Sequence, residues 1–233
     1  MSELPFFSFH SKAAANEAIA NALYAAVGAA HHEGRRARIA LSGGSTPEPA
    51  YREFANRQLD WENVDIALVD ERWVDIADDG SNEKMLRRAF SATKANIIGM
   101  KNGAPTPFAA TSEIDKIYSK LIPFDAIVLG MGNDGHTASW FPKSKNLAQI
   151  LDRAYPHTIA GIDASHSEVG KAYPLRMTLT LEPIASAKMV LLLLFGEEKK
   201  HVLNSALIGE VELAPIKAAR DAAQDSFVAF WAA

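Results

Sequence analysis

The chain of 233 residues contains no cysteine. That excludes a disulfide framework, a thiol nucleophile and a thiolate metal site together. Long apolar runs are also missing: the most apolar stretch, Met189–Phe195 (MVLLLLF), is far too short to span a bilayer. Positive charge is not in excess, and a formal net charge of −4 gives no electrostatic reason to expect nucleic acid or an anionic membrane as partner. Neither an internal repeat nor a low-complexity linker interrupts the chain. The opening residues, MSELPFFSFHSKAAANEA, hold Glu3 and no long apolar segment, so no secretory signal is expected and a cytoplasmic protein is.

What is present is ordinary globular composition, 48% hydrophobic and 22% charged, in a chain long enough for a substantial core. Short apolar runs alternate with helical patterns. Ser11 to about Ala30 is Ala-rich with helical spacing and stops at His31-His32-Glu33-Gly34. The runs Ala37–Leu41, Val64–Val69, Ala126–Leu129 and Met189–Phe195 are apolar at every phase, as strands covered on both faces would be. Helices are expected near Glu48–Asn56, Asn82–Phe90, Thr111–Leu121 and Lys199–Ile208. The alternation implies an α/β fold: a mostly parallel, Rossmann-like three-layer sheet with helices on both faces, in one domain over residues 1–233. Ligands of such sheets sit beyond the carboxyl ends of the strands, so the residues after each run are the ones to inspect.

After Ala37–Leu41 comes Ser42-Gly43-Gly44-Ser45-Thr46-Pro47. Two glycines permit a tight turn and close approach of the backbone. The following helix start, with the Ser45 and Thr46 hydroxyls, suits a phosphate. It is not a Walker A loop, because no Gly-Lys-Ser/Thr follows. An ordinary capped strand-to-helix turn fits equally well. After Val64–Val69 comes Asp70-Glu71-Arg72-Trp73, either a ligand site or a surface ion cluster, with the Trp as a wall or as core.

After Ala126–Leu129 comes GMGNDGHTASW, residues 130–140. Its start reads G-x-G-x-x-G. A dinucleotide fingerprint, however, opens the first βαβ unit and runs into a long helix; here Phe141-Pro142-Lys143 breaks any helix and the stretch lies mid-chain. The glycines look instead like hinges that expose Asp134 and His136. A histidine titrates near neutrality, which a base acting on water requires. For a lone His a buried, hydrogen-bonded role is the usual one; in a glycine-rich loop at a strand end, catalysis is preferred. Arg176 and Lys199 follow, either as site cations or as solvated surface charges, while the His31-His32 pair reads as surface.

Together LSGGSTP, DERWV, GMGNDGHTASWFP and GEEK resemble, in order and spacing, the 6-phosphogluconolactonase family, over nearly the whole chain. The resemblance implies hydrolysis of 6-phospho-D-glucono-1,5-lactone to 6-phospho-D-gluconate, the second step of the oxidative pentose phosphate pathway. It implies a small sugar-phosphate lactone as substrate, no cofactor and no catalytic metal; the oligomeric state is not legible. On that pattern Gly43, Gly44, Ser45, Thr46, Arg176 and Lys199 would hold the phosphate, and His136, Asp134 and Arg72 would do the chemistry. Glucosamine-6-phosphate deaminase shares the architecture and a D-G-H loop. It carries D-E-Y where this chain has Asp70-Glu71-Arg72, and an N-E-P glutamate where residues 137–142 offer no carboxylate. A non-catalytic sugar-phosphate sensor is the third reading. Lactonases often have Leu where Trp140 stands, an exchange expected to alter pocket packing. Whether residues 155–173 form a strand and a mobile loop over the pocket is left open by the sequence.

Overall fold

A computed structural model describes residues 4–233. The first half runs β1 (Phe6–Phe9), α1 (Lys12–His32), β2 (Ala37–Leu41), α2 (Glu48–Ala55), β3 (Val64–Leu68), β4 (Asp70–Arg72), α3 (Asn82–Ala89), β5 (Asn96–Ile98) and α4 (Pro107–Tyr118). The second half runs β6 (Ala126–Leu129), α5 (Leu147–Ile150), β7 (Ile159–Asp163), β8 (Leu175–Leu179), α6 (Leu181–Ala185) and β9 (Val190–Phe195). It ends with α7 (Glu197–Ile208), α8 (Ile216–Ala223) and β10 (Phe227–Ala232).

Seven strands form one parallel sheet in the order β1-β10-β9-β6-β2-β3-β5. Its middle is largely apolar on both faces because helices pack around it, with Arg38 and Asp65 as the charged exceptions. All residues of β3 and β6 are buried, and only Arg38 in β2 and Phe195 in β9 reach partial exposure. Helix α1 starts where the Ser11 hydroxyl accepts the Ala14 N–H at 3.1 Å, and Gly34 at φ +70° turns the chain away after it. Its buried face, Ala15, Ile19, Leu23, Val27 and Ala30, recurs at helical spacing and lies against β1, β2, β9, β10 and α2. None of the described helices is long and apolar enough to cross a membrane.

Two helices begin earlier than periodicity suggested. Thr106 caps α4 by accepting the Ala109 N–H and Pro107 fills the first position, so α4 starts before Thr111. Helix α7 opens at Glu197, which puts Lys199 inside its first turn.

A second sheet, β4-β8-β7, is antiparallel. The chain passes through Val69 from β3 directly into β4, so Asp70-Glu71-Arg72 is a strand and not a loop. The segment 155–173 does supply a strand, β7, and Val169 beyond it reaches the first cavity described below.

Candidate active site

Strands β2 and β6 are neighbours, but the chain continues from β2 to β3 on one side, and β6 pairs with β9 on the other. The connections leaving their carboxyl ends therefore turn to opposite sides and leave a crevice between them. A cavity of about 610 Å³ lies there, bordered by both the 42–47 turn and the 130–138 loop. Every sequence-selected site residue except Asp134 lines it: Gly43, Gly44, Ser45, Thr46, Arg72, His136, Arg176 and Lys199.

The 42–47 turn needs its glycines for two different reasons. Gly44 has φ +102°, a conformation that suits glycine. At Gly43 a Cβ would lie 1.9 Å from Asn82 Oδ1, so there is no room for one. Asn82 is immobilised in turn. Its side-chain amide donates to the Asp70 carbonyl at 2.8 Å, and its backbone N–H donates to Glu71 Oε1 at 2.8 Å. The Ser42 hydroxyl, which was not singled out from sequence, borders the cavity and is buried without a protein hydrogen-bond partner.

The 130–138 loop folds onto its own histidine. Gly132 donates to the His136 carbonyl at 2.9 Å, Gly135 at φ +76° donates to the Gly132 carbonyl at 3.1 Å, and a Cβ on Gly132 would meet the imidazole at 2.2 Å. The G-x-G-x-x-G glycines thus shape a tight loop around an imidazole. Asp134 Oδ1 contacts His136 Nδ1 at 2.5 Å and also accepts the His136 N–H at 3.2 Å, so residues two apart do touch. Burial pushes the Asp134 carboxyl up, but the hydrogen bonds and charge of His136 outweigh it and hold it below the usual carboxylate range. An ionised Asp134 fixes the imidazole with Nδ1–H toward it. Phe141 packs on the ring at 4.6 Å, and Nε2, with no protein partner, is free to act at the cavity.

Arg72 and Arg176 are direct cross-strand partners of β4 and β8. Like charges in that position repel, so the pair makes electrostatic sense beside an anion. The Arg72 guanidinium donates to the Gly80 carbonyl at 2.7 Å and packs near the Tyr173 ring. Arg176 is buried, donates to the Tyr173 carbonyl at 2.9 Å and lies over Phe141 at 5.1 Å. Asp70 Oδ2 lies 3.8 Å from it and accepts the Ser139 hydroxyl at 2.6 Å. Desolvation, with Arg72 adding to it, shifts Arg176 below the ordinary guanidinium value, and Asp70 pulls the other way. Lys199 Nζ donates to the Met131 carbonyl; burial lowers its pKa, against the attraction of Asp134.

The Asp70–Trp73 cluster divides by role. Asp70 and Arg72 face the cavity. Glu71 is buried and structural: it accepts the N–H groups of Asn82 and Glu83 at 2.8 Å each and the Ser81 hydroxyl at 3.0 Å, satisfying the start of α3. Trp73 does not wall this cavity; it packs, partly buried, against the hydrophobic core, lies under Lys101 and donates to the Ala104 carbonyl. Trp140 is fully buried, and its indole donates to the Leu179 carbonyl at 2.7 Å, so it braces the loop from behind without lining the cavity. Asn82 was invisible in sequence as a site residue because its placement depends on which strands pair, whereas Asp70 was legible as part of the Asp70–Trp73 cluster and Ser42 only as the start of the turn. No group of three or more His, Cys, Asp or Glu suited to a metal occurs among the described residues.

Residues 10–228 match the family model described as glucosamine-6-phosphate isomerases/6-phosphogluconolactonase. A 6-phosphogluconolactonase of Rhizobium meliloti is 34% identical over 229 residues, 96% of this chain and 97% of that one. One of Xylella fastidiosa is 38% identical over 74% of this chain and 72% of that protein. The crystal structure of a 6-phosphogluconolactonase from Shewanella baltica superposes with a TM-score of 0.90 at 32% identity, covering 100% of this chain and 99% of that one. With that agreement in sequence and in overall fold, the chain belongs to the glucosamine-6-phosphate isomerase/6-phosphogluconolactonase family.

Proposed function

We propose that this chain is a 6-phosphogluconolactonase: a cytoplasmic hydrolase, built as one domain, that converts 6-phospho-D-glucono-1,5-lactone to 6-phospho-D-gluconate in the oxidative pentose phosphate pathway. The observation that carries the reading is the Asp134–His136 pair at 2.5 Å, placed so that the imidazole borders a cavity shared with the Gly43–Thr46 turn and three cations.

The phosphate is held by Gly43, Gly44, Ser45 and Thr46, with Arg176 and Lys199 supplying charge and the Ser42 hydroxyl a further hydrogen bond. Gripping the far end of the substrate orients its carbonyl. His136 Nε2 takes a proton from water as the water oxygen attacks C1. The same nitrogen returns that proton to the ring oxygen as the C1–O bond breaks, leaving the acid and a free hydroxyl. Asp134 holds the imidazole in the required tautomer and offsets its positive charge. Arg72 stabilises the developing oxyanion and then the product carboxylate. The sequence has no G-x-S-x-G elbow, and this scheme needs no covalent intermediate, metal or cofactor.

The deaminase reading is disfavoured by the cavity itself. Asp70 is the only carboxylate among its lining residues, and it is buried against Ser139 and Arg176. The test is turnover of the lactone by purified protein above its spontaneous hydrolysis, with His136→Ala lowering kcat by about 10²–10⁴-fold. Near-normal turnover in that variant removes His136 as the base; absence of turnover in the unaltered protein leaves a sugar-phosphate receptor.

A further inference from the structure

A second cavity, of about 1040 Å³, shares no lining residue with the first. It lies between α4, β7 and the segment from Lys143 through α5, in the region that breaks the dinucleotide-like pattern. Its volume is at the upper end of what small-molecule sites use.

Three chemistries meet in its lining. The first is aromatic: Phe108 is 51% exposed, and Tyr155 also lines the cavity, its ring 5.9 Å from that of His157. Phe108 is held at this rim because the first turn of α4 lies directly on β7. A Cβ on Gly161 would sit 2.8 Å from the Phe108 ring and backbone, so only glycine lets the two elements close. The second is cationic. Lys143 has no acidic partner and Lys145 is close enough to Asp163 to feel its charge, while the His157 imidazole lines the same cavity. His157 Nδ1 lies 3.0 Å from Asp115 Oδ2, and the other Asp115 oxygen accepts the Thr158 N–H at 2.7 Å and hydroxyl at 2.5 Å. This second histidine–aspartate pair fixes the ring and leaves Nε2 without a protein partner. The third is a lone carboxylate. Asp163 is exposed, and its one assigned hydrogen-bond partner is Ser165.

We propose that this cavity binds a nucleoside polyphosphate. A flat base stacks on Phe108, the phosphates meet Lys143 and Lys145, the ribose hydroxyls donate to Asp163, and His157 Nε2 accepts from a further ligand hydroxyl or amine. The carboxylate decides between ligand classes: a bare polyanion would be repelled by Asp163, whereas a sugar diol satisfies it. The inference does not depend on the lactonase reading, because the two cavities have no residue in common.

The test is isothermal titration of the full chain with ADP, adenosine and inorganic pyrophosphate. ADP is expected to bind more tightly than either fragment. Phe108→Ala and Lys145→Ala are each expected to weaken it by about tenfold. Lys143→Asn, chosen because Lys143 has φ +62° and Asn tolerates that region, is expected to act like Lys145→Ala. Lys199→Ala, in the first cavity, is expected to leave ADP affinity unchanged. Pyrophosphate binding as tightly as ADP overturns the nucleoside assignment. ADP affinity that is lost with Lys199→Ala, or indifferent to Phe108 and both lysines, places any binding elsewhere and overturns the site. Thermal unfolding of the Phe108 and lysine variants should match the unaltered protein, since all three side chains are at the surface of this cavity.

Discussion

Replacing Asp134 by Ala separates positioning of the base from binding of the substrate. The carboxylate contacts His136 Nδ1 at 2.5 Å, with side-chain exposures of 17% for the histidine and 30% for the aspartate, so solvent screens the pair only in part. A hydrogen bond to a charged partner in that setting is worth about 1.5–3 kcal/mol. If it acts on the transition state, where the imidazolium forms, kcat should fall about 10- to 150-fold. Asp134 does not line the substrate cavity, so KM should stay within about twofold. Asp134→Asn should be no milder: an amide that turns its NH2 toward Nδ1 selects the wrong tautomer. Initial rates of lactone hydrolysis, corrected for the spontaneous reaction and taken across substrate concentrations, give both constants. A kcat within twofold of the unaltered enzyme would refute the orienting role. A large rise in KM at unchanged kcat would instead make Asp134 part of the binding surface.

On the proposed phosphate role of its ammonium, Lys199→Ala should raise KM by about tenfold or more with a smaller change in kcat; an unchanged KM in the same rate assay would remove it from that site. Gly43→Ala should destabilise the fold by about 1–3 kcal/mol and weaken phosphate binding together. The reason is that its Cβ must displace an Asn82 side chain already bonded to Asp70, and an unchanged melting temperature would contradict the packing described. Asp125→Ala should cost about 2–3 kcal/mol near neutral pH, since this buried carboxylate accepts two Arg35 hydrogen bonds at 2.6 and 2.9 Å and the Arg38 N–H at 2.9 Å. Burial raises its pKa, but Arg35 and Arg38 outweigh that and leave it below the ordinary 3.8. The stabilisation is therefore complete above that ordinary value and fades as pH falls through the lower folded value. Urea melts of variant and parent should converge in acid, and a difference that persists there would rule out an ionic origin.

How much of this was legible beforehand follows the range of the interactions concerned. The strands Ala37–Leu41, Val64–Leu68 and Ala126–Leu129 were readable because burial on both faces leaves a run with no polar phase. Edge strands such as β1 and β5 were not, since their half-exposed residues carry no such mark. Strand β4 was hidden because its polar Asp-Glu-Arg sequence forms a strand only through pairing with β8, about a hundred residues away. Helix α4 began early because a Thr-Pro cap outweighed apolar periodicity.

The site divides along the same line. Glycine spacing and residue type marked Gly43–Thr46 as a tight turn and put His136 in a glycine-rich loop, because both are local consequences of backbone freedom. The sequence also carried the family pattern that singles out Arg72, Arg176 and Lys199. Only the tertiary structure decided that Arg72 and Arg176 face each other across two strands, that Asn82 fills the space Gly43 leaves, and that Asp134 grips the imidazole two residues on. Those relations depend on which strands pair and in what register, and long-range pairing is written in no stretch of the chain taken by itself.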